Sequence, residues 1–98
     1  MRTDLHSLAE EVETEEDFLS FIQALSEDKH DEENLEKKNP SSPWGPDANG
    51  WENGSIVAFL DAASAWGQSS INGLEFYEKP INPWKRAAQI LHAGKFYE

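Results

Sequence analysis

Apolar residues near the start of the chain recur at the spacing of one helix face. A short amphipathic helix is predicted by four of them, which are Leu5, Leu8, Ala9 and Val12. Thr3 or Asp4 precedes this run, and the side-chain oxygen of either residue can accept the free amides of a first helical turn. The chain is therefore predicted to begin with one short helix.

A second helix is predicted from Thr14 onward. Thr14 is followed by three acids, a pattern similar to a capping box, and these carboxylates stabilise the positive end of a helix dipole. The predicted buried stripe consists of Phe18, Ile22 and Leu25, widened by Leu19 and Phe21. Since residues 27–38 are strongly polar, we expect them to bury little and the helix to weaken beyond about Lys29.

Residues 39–50 are predicted to form a long loop. This stretch contains Pro40, Pro43 and Pro46 together with two glycines and two serines, a composition that interrupts regular hydrogen bonding. Trp44 is a large apolar residue for such a loop, and two roles fit it: an anchor on the core, or a contact offered to a partner.

A central helix is predicted over residues 54–67. Its apolar stripe has the clearest helical spacing in the chain and consists of Ile56, Phe59, Leu60, Ala63 and Trp66. Asn53 or Ser55 is the predicted cap. Trp66 on this face, and Trp84 further along, are predicted core residues, and Trp51 is predicted to pack back on the central helix.

The last helix is predicted over residues 83–95. Asn82 followed by Pro83 is a strong start signal, because asparagine caps a helix and proline is tolerated at its first position. The preceding stretch 69–82 is left open, since residues 74–77 fit either a short extended piece or one helical turn.

These elements predict an all-α fold. We expect about four helices packed as a small orthogonal bundle in a single domain, residues 1–98, with an acidic helical pair at 4–37. The Pro-rich loop separates the second helix from the third.

Charge is distributed unevenly along this chain. The formal net charge is −11, and residues 1–37 hold thirteen carboxylates against Arg2, Lys29 and Lys37, which leaves −10 there and −1 in the remainder. Such a field opposes binding to nucleic acid or to anionic lipid and favours a protein partner with a basic surface. The chain has no cysteine, no signal-peptide pattern and no long apolar stretch, so we expect a cytoplasmic protein without membrane contact.

Catalytic and metal-binding patterns are not evident in the sequence. The three histidines, His6, His30 and His92, form neither a zinc motif nor a triad, and the glycines lack phosphate-loop spacing. The carboxylates lie in charge runs typical of a solvated helix face. We therefore expect no enzymatic activity, no catalytic residues, no cofactor and no metal.

Protein binding is the leading hypothesis for function. The candidate partner-binding residues are Glu15, Glu16, Asp17, Glu27, Asp28, Asp31, Glu32 and Trp44. The alternative is an accessory domain that binds a peptide or a small molecule near Trp44 and Trp51.

Two segments carry a resemblance to a known type of domain. Trp51-Glu52-Asn53 leads into Phe59-Leu60-Asp61-Ala62-Ala63-Ser64-Ala65-Trp66, and the chain closes with Pro83-Trp84-Lys85 through Ala88 and Leu91 to Phe96-Tyr97-Glu98. With an N-terminal stretch like Thr14–Leu25, this pattern resembles a family of small, uncharacterised bacterial domains. The resemblance implies a helical fold and an immunity-type role, the neutralisation of a basic toxin or nuclease, and it supplies no catalytic residues.

Overall fold

The computed structural model describes residues 4–38 and 49–97 and confirms the all-α prediction. Its four helices are α1 (Leu5–Glu11), α2 (Glu15–Lys38), α3 (Ile56–Ser69) and α4 (Pro83–Gly94). In the described part of the chain, extended pairing is limited to an isolated antiparallel bridge between Leu74 and Tyr77. Most of the predicted loop 39–50, including Trp44, lies outside the described residues.

The helices begin where side chains satisfy their first amides. Asp4 accepts from the Ser7 amide at α1, and Ser55 accepts from the Ala58 amide at α3. Asn82 accepts from the amides of Trp84 and Lys85, with Pro83 at the first position of α4. The predicted ranges 54–67 and 83–95 thus become Ile56–Ser69 and Pro83–Gly94.

The capping pattern at Thr14 is also present. The Asp17 amide donates to Thr14 Oγ1 at 3.1 Å, and Asp17 Oδ2 accepts from the amides of Glu13 and Thr14 at 3.1 and 3.3 Å. These bonds satisfy amides on both sides of the helix start, so the direction of α2 is fixed from its first turn.

Helix α4, and not α3, is the centre of the fold. It packs against α1, α2 and α3, whereas α2 and α3 do not pack directly on each other. Ala88 on α4 is fully buried. A Cβ at Gly94 would lie 2.9 Å from the Phe59 carbonyl oxygen, so a side chain at that position would push α3 and α4 apart. Small residues on α4 allow its close contacts.

The hydrophobic core is built mainly from α1, α2 and α4. Its buried members are Leu5, Ala9, Val12, Phe21, Leu25, Trp51 and Ala88. The predicted stripe of α2 is partly wrong, since Phe21 is buried while Ile22 is exposed. The stripe of α3 is also partly wrong: Ala63 is buried, whereas the side chains of Ile56 and Leu60 are 79% and 55% exposed. Because α3 packs on α4 and not on α2, only one narrow face of α3 is covered.

The segment between α3 and α4 is a compact turn. Leu74 and Tyr77 exchange both backbone hydrogen bonds, at 2.9 and 3.1 Å. Gly73 precedes them with φ of 83°, a conformation that side chains disfavour. Tyr77 packs edge-on against Trp66 at 5.0 Å, and the Arg86 guanidinium lies 5.1 Å from the Trp66 ring. A turn with a short extended pair, rather than a helical turn, occupies the stretch left open by the sequence.

Candidate partner-binding site

Two of the predicted partner-binding residues are buried. Asp28 and Glu32 lie one turn apart on α2 and are 6% and 0% exposed. The expectation that residues 27–38 bury little, and that α2 weakens beyond Lys29, is therefore wrong, because α2 continues to Lys38 and these two carboxylates lie inside the molecule.

The Glu32 carboxylate binds the chain that precedes α3. Its Oε1 accepts from the backbone amides of Asn49 and Trp51 at 3.0 and 3.2 Å. Its Oε2 accepts from Lys29 Nζ at 2.9 Å. These three donors replace the water that the buried carboxylate has lost, and the bonds fix the backbone of residues 49–51 against α2.

The Asp28 carboxylate joins α2 to Trp51 and to the end of α4. Asp28 Oδ2 accepts from Trp51 Nε1 and from Lys95 Nζ, both at 2.8 Å. The ammonium groups of Lys29 and Lys95 each lie 5.6 Å from the Trp51 ring centroid, within the range of cation–π attraction. Asp28, Lys29, Glu32, Trp51 and Lys95 are called the ion cluster below.

A sequence signal for this burial exists. Phe21, Leu25, Asp28 and Glu32 continue one helical stripe at i, i+4, i+7 and i+11, so the two acids occupy the positions that apolar residues occupy earlier in α2. Apart from Lys29, their partners lie 17 to 67 residues further along the chain, which the pattern of α2 alone does not specify. The ion cluster is therefore structural, and Asp28 and Glu32 are not available to a partner.

The remaining predicted acids lie on the surface. Glu15 and Glu16 are exposed in the first turn of α2. Asp17 is exposed but is bound to the helix start, and Glu27 Oε1 accepts from Gln23 Nε2 at 3.1 Å. Asp31 accepts from Asn49 Nδ2 at 3.1 Å. The structure thus separates surface acids from the ion cluster on a single helix.

A groove of about 430 Å³ opens between α2 and the start of α3. Its apolar lining comes from Ile22, Leu25, Trp51, Ile56 and Phe59, and its polar lining includes Lys29, His30 and Glu33. The volume falls in the range of ligand-binding clefts, about 300–1,000 Å³. Trp51 is buried, so it forms part of the wall and is not a free aromatic contact.

The segment Trp51-Glu52-Asn53, beside the groove, is hydrogen-bonded to the end of α4. The amides of Glu52 and Asn53 both donate to the Lys95 carbonyl, at 3.1 and 3.2 Å. The Asn53 side-chain amide donates to the carbonyls of Gly94 and Tyr97 at 3.1 and 2.9 Å. These bonds satisfy carbonyls at the C-terminal end of α4, which gives the W-x-N pattern a structural role.

A smaller pocket of about 190 Å³ lies between α1 and α4. His6 and His92 face each other across it with ring centroids 6.0 Å apart, and Phe96 lies 5.1 Å from His92. Burial lowers the pKa of His92 to about 4, and the nearby His6 and Lys95 act in the same direction. His92 is therefore neutral over most of the physiological range. Among the described residues, no group of three or more potential ligands is placed to hold a metal ion.

Comparison with known families identifies the family of this chain. Residues 14–98 match the model of a family of unknown function (DUF7660), and the chain belongs to this family. The match includes α2, α3 and α4 and leaves α1 outside. No curated protein and no solved structure matches the chain. Within the described residues, the helices all fall short of the length and apolar character that a membrane span requires.

Proposed function

We propose that this chain is a non-catalytic, acidic protein-binding domain whose partner has a basic surface. The exposed acids of α2, above all Glu15, Glu16 and Glu27, are the proposed contacts. Asp28 and Glu32, which belong to the ion cluster, take no part.

The observation that carries this proposal is the composition of one face of α2. Residues 15, 19, 22, 26, 30 and 33 follow one another three or four positions apart and so lie on one side of the helix. All six are exposed, and they combine acids at 15 and 33 with the apolar Leu19 and Ile22, while the exposed Glu16 and Glu27 lie on the adjoining side of the helix. A charged rim around apolar side chains is typical of a protein-binding surface.

The acidic field supports a basic partner in particular. With a net charge of −11, of which −10 lies in residues 1–37, the molecule attracts cationic surfaces and accelerates their association. The finer proposal follows from the resemblance given above: a bacterial, cytoplasmic immunity-type protein that neutralises a basic toxin or nuclease.

A cross-linking experiment tests the proposal. A photoreactive amino acid replaces Glu16 in the full chain, and the protein cross-linked in the source cells is identified and purified. We expect a basic protein. Its affinity is then measured by calorimetry for Glu16→Lys/Glu27→Lys and for the matched control Glu75→Lys/Glu78→Lys, which changes the net charge equally but on a different part of the surface.

We expect the first variant to weaken binding about tenfold or more, and the control to weaken it about threefold or less. Equal weakening by both variants would show a general charge effect without a defined surface. An acidic partner would contradict the proposal outright.

The groove beside Trp51 supports a second candidate function, which is the binding of a peptide or small molecule. Its volume of about 430 Å³ and its apolar lining carry this reading. Ser26 is exposed and lines the groove, so Ser26→Trp would fill it without disturbing the core. If Ser26→Trp loses a bound ligand while Glu16→Lys/Glu27→Lys still binds it, the second function is favoured over the first. The predicted contribution of Trp44 stays a prediction.

A further inference from the structure

We infer that the groove between α2 and α3 receives a basic amphipathic α-helix of the partner protein. Its apolar side would lie on Ile22, Ile56 and Phe59, and its lysines and arginines would face Glu33 in the groove and Glu15 beyond the Ile22 end. The inference rests on the proposed function and names the structural class of partner that the same surface binds.

The dimensions of the groove match a short helix. On α2 its lining runs from Ile22 to Glu33. At about 1.5 Å per residue this distance is roughly 17 Å, which is about three helical turns. Helices that bind in grooves use anchors spaced over two to three turns, so the length suits this mode of recognition.

Exposed apolar side chains border the groove on both sides. Ile22 on α2 and Ile56 on α3 line the groove and are 39% and 79% exposed. Leu19 and Leu60, 57% and 55% exposed, lie one helical turn from Ile22 and Ile56 on the same sides of their helices. Large apolar residues left in water on both walls of one cleft form a patch that an apolar helix face would cover.

The charge around this patch selects a basic helix. Glu15 and Glu33 lie on the same face of α2 as Ile22, and Glu16 and Glu27 lie beside it. Lys29 does not oppose them, because its ammonium group is paired with Glu32 at 2.9 Å. An acidic helix would meet carboxylates here, and the net charge of −11 would repel it further.

A helix fits better than an added β-strand. A peptide that binds by strand addition needs backbone partners, which recognition domains supply at the edge of a sheet. In residues 4–38 and 49–97 the backbone offers helices and one isolated bridge, so no such edge borders the groove. A helix satisfies its own backbone groups and requires only side-chain contacts.

Designed peptides test the inference on the full chain. The probe is an 18-residue peptide of leucine and lysine with leucines at i, i+3 and i+4 spacing. One control has the same composition in scrambled order, and another replaces lysine with glutamate. Affinities are measured by calorimetry, and backbone amide NMR shifts locate the binding site.

We expect the basic amphipathic peptide to bind about tenfold or more tightly than the scrambled one, and the acidic peptide not to bind. The largest NMR shifts should fall on Ile22, Ser26 and Ile56. Ser26→Trp should weaken binding about tenfold or more, whereas Ser64→Trp, an exposed control on α3 outside the groove, should leave it unchanged.

The outcomes separate this inference from the proposed function. Equal binding of ordered and scrambled basic peptides would overturn the helix in the groove and leave the acidic surface intact. If neither basic peptide binds, and the natural partner binds Glu16→Lys/Glu27→Lys as tightly as the unchanged chain, both proposals fail. Two further results would overturn the inference. Tighter peptide binding by Trp44→Ala than by the unchanged chain would indicate that the chain's own Trp44 competes for the groove. A dimer that is detected by sedimentation and dissociated by Ser26→Trp would indicate that a second copy of the chain occupies it.

Discussion

Two faces of helix α2 carry the same kind of residue with opposite consequences. On one face, Asp28 and Glu32 are buried, and their carboxylates accept hydrogen bonds from Asn49, Trp51, Lys29 and Lys95. Away from that face, Glu15, Glu27 and Glu33 are exposed. The first group holds the fold together, and the second gives the surface its charge.

Position on the helix, and not residue type, decides what an acid does in this protein. A buried carboxylate is tolerated only when donors replace the water that it has lost, so its partners are as necessary as the carboxylate itself. A surface carboxylate keeps its water and contributes little to stability.

The largest effect is expected at Glu32. In Glu32→Ala the amides of Asn49 and Trp51 lose their acceptor and Lys29 loses its partner, so we expect a loss of about 3–5 kcal/mol in the free energy of unfolding. Chemical denaturation measures this loss. The neighbouring Glu33→Ala is the matched control and should change stability by about 0.5 kcal/mol or less. Equal losses in the two variants would remove the distinction between the faces.

Burial of His92 makes the stability of the protein depend on pH. Because burial holds the pKa of His92 at about 4, against 6.5 for the free side chain, the unfolded chain binds a proton in this interval and the folded protein does not. The free energy of unfolding should therefore fall as pH drops from about 6.5 to about 4, by at most about 3 kcal/mol.

Denaturation at a series of pH values measures this slope. His92→Gln should flatten it, whereas His30→Gln, at an exposed position on α2, should leave it unchanged. A slope that survives in His92→Gln would assign the pH dependence to other groups.

A smaller loss is expected when a single bond of the ion cluster is removed. Trp51→Phe keeps an aromatic ring near Lys29 and Lys95 but deletes the Nε1 donor to Asp28, and Asp28 retains Lys95. We expect a loss of about 1–2 kcal/mol in the free energy of unfolding. Thermal and chemical denaturation measure this loss. Trp84→Phe is the control, because it makes the same aromatic substitution at a tryptophan that is not part of the ion cluster. A loss as large as that of Glu32→Ala would mean that Lys95 does not compensate.

The smallest effect is expected on the exposed face. Glu27→Lys should change the free energy of unfolding by about 0.5 kcal/mol or less, because the side chain is exposed and its bond to Gln23 lies on the surface. Denaturation at low and at high salt checks this. A loss above about 1 kcal/mol would show that the surface acids also stabilise the fold.

Helix starts were predictable because their determinants are local. Asn82-Pro83, Ser55 and the Thr14 pattern each lie within three residues of the amides that they satisfy, so the sequence alone contains the signal. The all-α class follows from the same local patterns.

The ion cluster and the exposed stripe of α3 were not predictable in this way. Glu32 is buried because residues 49–51, seventeen and more positions away, bring amides to it. Ile56 and Leu60 have ideal helical spacing, but α4 covers a face of α3 that excludes them. Only the packing of distant elements decides such positions.

The bonds between Glu32 and the chain before α3 have a consequence for hydrogen exchange. The amides of Asn49 and Trp51 lie outside every helix, yet each donates to a fully buried carboxylate. Their protons should exchange with solvent as slowly as those in the middle of α2, because release requires Glu32 to leave the interior. Residues 49–51 and the Asp28–Glu32 turn should thus open together, as one cooperative unit assembled from two distant parts of the chain.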